Sequence, residues 1–552
     1  MTPQEDFAEG CRLFAEGCYD RAEQLFSRCL ISFPGNPDLL NALASVQEAL
    51  GRYDQALPLL EEACRLRPDC PEFHYNYANL LRRLASTDAA EAEYLRAIEC
   101  DPGLAAAYYG LGSLYLSRGR SETAEACLRK TLDLVTDHAA ALHDLGQILA
   151  GRGMTDDAEQ LYRRSITADP RNPAAHNSLG MLLLRSRRVD DARFCFLRAL
   201  QLDPSYLQAR CNLAVLQTWL GDTAPAIEAL RQAAREAAED GDIHYNLALA
   251  LLTAGQLAEG WQEFEWRFRK ARPVEQHHSS IPRWQGETLH GKRMLLHAEQ
   301  GYGDSLQFIR YASLLAKEGA TVYVEGQDAR ITPLLATADG VSVAFPRGEQ
   351  VPEVDLQLPM MSLPLVLADH GWPPPAPPYL RPSPELRQIW RTRIAGLPGP
   401  RIGLAWAGRP EHDNDANRSL PESCLLPLAQ TGCSFVSLQF AGRTAGDLPF
   451  RVYDPAGQVQ DFADSAALIA ELDLVITIDS AVAHLAGGLG VDTWLLLPWN
   501  PDWRWMHHRQ DSPWYPRMRL FRQSAYQDWQ QVLLSVAEEL LSRFQGVTNH
   551  DP

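Results

Sequence analysis

Small, apolar and polar positions recur through the first half of the chain with a period of 34 residues. Proline or a substitute stands at Pro34, Pro68, Pro102, Thr136, Pro170, Pro204 and Ala238. A small residue fills Ala22, Ala56, Ala90, Ala124, Ala158, Ala192, Ala226 and Gly260. A third column reads Gly17, Gly51, Ala85, Gly119, Gly153, Arg187, Gly221 and Gly255. A fourth, apolar column, Leu43, Tyr77, Leu111, Leu145, Leu179, Leu213 and Leu247, is followed each time by Ala or Gly. These columns predict two helices per period. The glycine column marks the turn between them, where positive φ is required. The small columns mark close helix contacts, and proline ends one unit and begins the next.

From Lys292 the pattern becomes short apolar runs separated by helical periods. Strands are expected at 293–298, 321–324, 341–345 and 355–358, with a helix over 305–318. A proline-rich connector, Trp372 to Tyr379, reads as extended chain. A second series follows: strands at 401–405, 434–439, 474–478 and 493–497, with helices over about 462–471 and 481–489. This alternation predicts parallel sheets flanked by helices, with ligands beyond the carboxyl ends of the strands. The expected domains are a helical array over 1–272, a linker over 273–291 and two Rossmann-like lobes over 292–398 and 399–552.

The repeat columns resemble the tetratricopeptide repeat, with seven full units and a degenerate eighth. Such units stack into a right-handed α-solenoid with a concave face for protein partners. One column of that face reads Ala42, Asn76, Gly110, Asp144, Ser178, Asn212 and Asn246. Asn76, Asn212 and Asn246 resemble the asparagine ladder of protein O-linked N-acetylglucosamine transferases, whose amides grip an extended peptide. The alternative is a plain solvated face. The aromatic eighth unit, Gly260-Trp-Gln-Glu-Phe-Glu-Trp-Arg-Phe, is expected to dock the array onto the second half.

Composition narrows the functional classes. The 552 residues carry 51 basic and 70 acidic side chains, a net charge of −19 spread evenly over both halves, which argues against nucleic acid and anionic membranes. The 11 cysteines form no CxxC pair and read as small packing residues in a reducing, cytoplasmic protein. No leader peptide and no apolar run of membrane-spanning length are expected.

Two segments carry candidate chemistry. In Glu299-Gln-Gly-Tyr-Gly-Asp304-Ser-Leu-Gln307, a strand gives way to a helix, and Asp304 reads either as a helix cap or as a general base in the cleft. In Ile478-Asp479-Ser480-Ala-Val-Ala-His484-Leu-Ala-Gly-Gly-Leu-Gly490, a strand delivers Asp479 and Ser480 to a helix start that suits a diphosphate. His484 follows on the same helix face, as a cation above the phosphate or as a satisfied buried histidine.

Both segments resemble the lipopolysaccharide heptosyltransferases. The shared features are Gly303-Asp304, the run from Asp479 to Gly490, and Gly403-Leu-Ala-Trp-Ala-Gly408 followed by Asn417-Arg418-Ser-Leu-Pro421. The whole chain resembles bacterial proteins that join tetratricopeptide repeats to a heptosyltransferase-like domain. The resemblance implies a GT-B fold and metal-independent transfer of a sugar from a nucleotide-diphosphate donor to a protein or glycan hydroxyl. It makes Asp304 the base and places Arg418, Asp479, Ser480 and His484 at the donor. The loop Trp499-Asn-Pro-Asp-Trp503-Arg504-Trp505 departs from the family. Trp503 and Arg504 join the donor-side candidates there, with rings that either stack on a ligand or form a packed lid.

The first lobe also has few cations, chiefly Lys292, Arg293, Arg310, Lys317 and Arg330, which disfavours a strongly anionic lipid acceptor. Asp413-Asn414-Asp415 reads as a solvated loop. His277-His278 and His507-His508 lack a third ligand at metal-binding spacing, so no metal or other cofactor is expected. The alternative function is a non-catalytic repeat scaffold carrying a degenerate transferase fold.

Overall fold

A computed structural model describes residues 2–367, 375–412, 414–439 and 445–544. Asp413 of the acidic motif and residues 372–374 of the proline-rich connector lie outside them. The chain packs as two compact units, Met1–Ala209 and Arg210–Pro552.

The first unit is a run of paired antiparallel helices from Pro3–Ala15 to Val189–Leu202. Its columns do what their chemistry requires. Ala22, Ala56, Ala90, Ala124, Ala158 and Ala192 are fully buried. The glycines at the close contacts face aromatic rings, and a Cβ on Gly180 would lie 2.6 Å from Phe196 Cε1. The turn column takes positive φ at every position, including Ala85 at 58° and Arg187 at 61°. The predicted αL turn therefore holds even where a side chain must bear its steric cost.

The second unit begins inside the helix Leu207–Trp219 and holds three more repeat helices, Thr223–Glu236, Gly241–Thr253 and Leu257–Phe264. The array thus has sixteen helices, and its last part belongs to the same compact unit as the α/β half. The boundary expected at 272 is a change of secondary structure. The compact units divide earlier, because the eighth repeat buries Trp261 and Phe264 in one core with Trp503 and Trp514. The docking role read from that aromatic repeat is what the packing displays.

Two all-parallel sheets follow. The first contains β1 (Arg293–His297), β2 (Thr321–Gly326), β3 (Val341–Pro346) and β4 (Leu356–Pro359), ordered β3-β2-β1-β4. The second contains β5 (Arg401–Ala405), β6 (Ser434–Ser437), β7 (Leu474–Ile478), β8 (Thr493–Leu497) and β9 (Met518–Arg522), ordered β6-β5-β7-β8-β9. The strands β5, β7 and β8 are mostly apolar and buried along almost their whole length, as expected where helices cover both faces. Eight of the nine strands match sequence expectations within two residues; β9 was not foreseen. The expected helix over 305–318 starts earlier and breaks into Tyr302–Phe308, a 3₁₀ turn and Ala312–Lys317. Strand order reverses between β1 and β4 and again between β5 and β7. Those switch points are where such sheets open a ligand crevice.

Ala85→Gly is expected to stabilise the first unit by up to about 1 kcal/mol, because relief of the αL cost exceeds the added unfolded-state entropy. Gly180→Ala is expected to destabilise it by about 1–3 kcal/mol through overpacking on Phe196. Urea unfolding of both variants measures the two effects.

Candidate functional site

The candidate residues come from the switch points of both sheets. After β1 the chain turns at Gly301 into the helix Tyr302–Phe308, whose first turn carries Asp304. The two oxygens of Asp304 have separate partners. Oδ2 accepts the Gly301 backbone N–H at 2.9 Å, and Oδ1 accepts from Arg504 Nη2 at 2.6 Å. The capping and cleft readings of Asp304 thus describe its two oxygens. Burial pushes its carboxyl upward, and the Arg504 guanidinium opposes that shift.

Arg504 arrives from the loop after β8, is 7% exposed, and spends every arm of its guanidinium inside the protein. Nη1 donates to Asp502 at 2.9 Å and Nε to Gln307 at 2.7 Å, while the plane lies 4.3 Å from the Trp503 ring centroid. Arg504, expected on the donor side, instead ties the loop after β8 to the helix after β1. Trp503 is not a ligand platform either. It meets Trp261 and Trp514 edge-on at 5.2 and 5.9 Å and is 6% exposed, so it is the packed-lid alternative.

At the β5/β7 switch point, Arg418 ends the short helix Asp415–Arg418 and donates from Nη1 to the Asp479 carbonyl at 2.9 Å. Gly408 makes room for it, because a Cβ there would lie 2.6 Å from Arg418 Nη2. Asp479 and Ser480 end β7, and Ser480 opens the helix Ala481–Leu489. Ser480 Oγ lies 3.4 Å from Thr477 Oγ1. Burial, with the charge of Asp502, raises the Asp479 carboxyl to about 6, against the pull of Arg418. Asp502 and Arg504 influence both Asp304 and Asp479, so the carboxylates of the two sheets share one electrostatic neighbourhood.

His484 is the satisfied histidine and not a cation. It is 5% exposed, its Nδ1 pairs with the Tyr515 hydroxyl at 2.9 Å, and Trp505 stacks on its ring. Burial, then Arg504 and Arg310, hold its pKa well below the usual histidine value. Gly303 explains the neighbouring motif, since a Cβ there would lie 2.7 Å from His484 Cδ2. The small residue before Asp304 lets the helices Tyr302–Phe308 and Ala481–Leu489 touch.

Sequence reasoning missed Gln307, Asp502 and Tyr515, whose roles exist only through residues distant in the chain. Of the sparse first-lobe cations, the three arginines prove occupied or buried, while Lys292 and Lys317 are exposed. Arg293 pairs with Glu353 and Asp355, Arg330 pairs with Asp328, and Arg310 is 1% exposed against Trp514 and Tyr379. Of the groove asparagines, Asn76 donates to Asn41 at 2.9 Å, while Asn212 and Asn246 are half-buried in the second unit. His277 and His278 do gain a third histidine, His297, but as ring contacts at 6.4 and 5.2 Å. No described helix is long and apolar enough to cross a membrane.

Profiles of the tetratricopeptide repeat match residues 7–69, 41–105, 103–171, 143–206 and 220–265. Protein FlbA of Caulobacter vibrioides is 26% identical over 380 residues, covering 61% of this chain and 61% of that protein. That share of this chain is longer than the repeat array, so the similarity runs beyond the helices. Among solved structures, a crystal structure of MamA is 24% identical over 29% of this chain and 94% of its own, with a TM-score of 0.27. A Thermus thermophilus repeat protein, TTC0263, is 25% identical over 33% of this chain and 98% of its own, with a TM-score of 0.28. The columns, the sixteen helices and the matched profiles agree that the N-terminal half of this chain is an array of tetratricopeptide repeats followed by an α/β half with two parallel sheets.

Proposed function

We propose that the α/β half is a GT-B-type glycosyltransferase that moves a sugar from a nucleotide-diphosphate donor to an acceptor hydroxyl. The repeats would recruit a protein acceptor or partner. The observation that carries this reading is the meeting of Asp304, from the β1 switch point, with Arg418, Asp479 and Ser480, from the β5/β7 switch point, around the shared neighbours Arg504 and Asp502. In the reaction, Asp304 takes the proton of the acceptor hydroxyl as its oxygen attacks the anomeric carbon. Negative charge grows on the departing diphosphate. Arg418 and the backbone N–H groups at the start of the helix Ala481–Leu489 stabilise it. His484, being neutral, positions Tyr515 and Trp505 and supplies no charge.

The non-catalytic scaffold remains as a second reading because Arg504 already satisfies Asp304. Calorimetry against nucleoside diphosphates carrying each common base separates the two. The transferase reading expects one to bind and Arg418→Gln to weaken it by at least about tenfold, a charge-assisted contact of ~1.5–3 kcal/mol. Binding by none favours the scaffold.

Three further outcomes follow from the electrostatics. Asp304→Asn is expected to slow transfer by about 10²–10⁴-fold while keeping the fold. Arg504→Gln, which strands a half-buried carboxylate, is expected to cost about 3–5 kcal/mol of stability in thermal unfolding. Asp479, with its raised pKa of about 6, repels the diphosphate when ionised. Donor affinity should therefore strengthen as pH falls through 6, and the wild-type excess over Asp479→Asn in this trend measures that carboxylate alone.

A further inference from the structure

Within the first unit, three metal-ligating side chains from three successive helices converge away from the crevice. Cys64 lies in the last turn of Tyr53–Leu66, His74 in the first turn of Pro71–Arg83 and Glu93 within Thr87–Cys100. Their ligand atoms all lie within 4.8 Å of one another. Cys64 is 8% exposed and His74 is 2% exposed.

The hydrogen bonds of His74 pose a question of charge. Its Nε2 lies 3.0 Å from the Pro68 carbonyl oxygen, which only accepts, so Nε2 carries a hydrogen. Its Nδ1 lies 2.6 Å from Glu93 Oε2. Two lone pairs do not face each other at that separation, so a proton is shared between them, and a metal ion would have to displace it and spread the two atoms apart. A backbone carbonyl holding the outer N–H of a histidine is also the usual support of a metal-bound imidazole. Glu93 Oε1 faces Arg96 at 4.0 Å, which leaves Oε2 to the cluster.

The repeat supplies an internal comparison. Five periods later, His244 and Glu263 reproduce the pair, with Nδ1 to Oε2 at 2.6 Å and Nε2 to the Ala238 carbonyl at 3.2 Å. There the position of Cys64 is Ala234, so no sulfur is present. The Cys64 column otherwise reads Leu30, Ile98, Leu132, Ile166 and Leu200, and the Glu93 column holds an acid only at 93 and 263. Among the described residues, one place in the array brings sulfur, imidazole and carboxylate together.

We propose that Cys64 Sγ, His74 Nδ1 and Glu93 Oε2 form a structural Zn²⁺ site, with water in the fourth position. The mixed sulfur, nitrogen and oxygen set suits tetrahedral zinc. Binding releases the thiol proton and the proton shared by His74 and Glu93. One dication with a thiolate and a carboxylate leaves the buried cluster neutral, which lowers the cost of burial. The site would pin three helices of neighbouring repeats together.

The test uses the metal-stripped full chain titrated with Co²⁺ and followed by absorbance, with competition by Zn²⁺. One equivalent is expected to give a thiolate-to-metal charge-transfer band and tetrahedral visible bands. Cys64→Ala should abolish the charge-transfer band. Glu93→Gln should weaken affinity at least about tenfold. Glu263→Gln at the sulfur-free twin and Cys70→Ala at the neighbouring thiol should leave binding unchanged. Circular dichroism shows that each variant keeps its helices. Absence of the band in the wild type, its survival in Cys64→Ala, or full affinity in Glu93→Gln overturns the proposal.

Discussion

A guanidinium buried between two sheets sets the terms for the whole α/β half. Arg504 is carried by the loop after β8, yet it bonds Asp304 and Gln307 of the helix after β1. A charge so far from water is tolerated only when its donors are met, and here Asp502, Gln307 and Asp304 meet them. Trp503, Trp261 and Trp514 pack around the same loop and exclude water. Because Trp261 belongs to the eighth repeat, that packing also attaches the end of the helical array. One ion pair and its aromatic jacket therefore join elements from three parts of the sequence.

Close approach of backbones is the complementary constraint. Gly303 admits the His484 ring and Gly408 admits Arg418. In each case the missing side chain gives room to a polar group. The same device, repeated with a fixed period, builds the solenoid from Gly146 against Tyr162 and Gly180 against Phe196. Small residues thus act in two ways: periodic ones build a scaffold, and single ones shape a site.

The repeats were legible because their information is local. A helix pair needs its own turn, its own small contact residues and the next pair, all within about two periods. Even the exceptions were readable as turns, since Ala85 and Arg187 occupy the glycine column and take its backbone conformation. The strands were legible for a similar reason, because fully buried parallel strands are short apolar runs. β9 was less so: Met518-Arg-Leu-Phe-Arg522, at a sheet edge, interrupts its apolar residues with two arginines. Asp304 follows β1 by a short turn, and Asp479 and Ser480 follow directly on β7.

The chain's own pattern therefore determined the helical array and the two parallel sheets. The tertiary structure decided what the side chains there are. Burial made His484 neutral, and packing turned Trp503 into core. Arg504 found Asp304 across 200 residues of sequence. Sulfur, imidazole and carboxylate met at Cys64, His74 and Glu93 only because three successive helices fold onto one another. Charge state and partnership depend on the dielectric and on neighbours brought together by folding, and neither is written in the order of residues along a strand or helix.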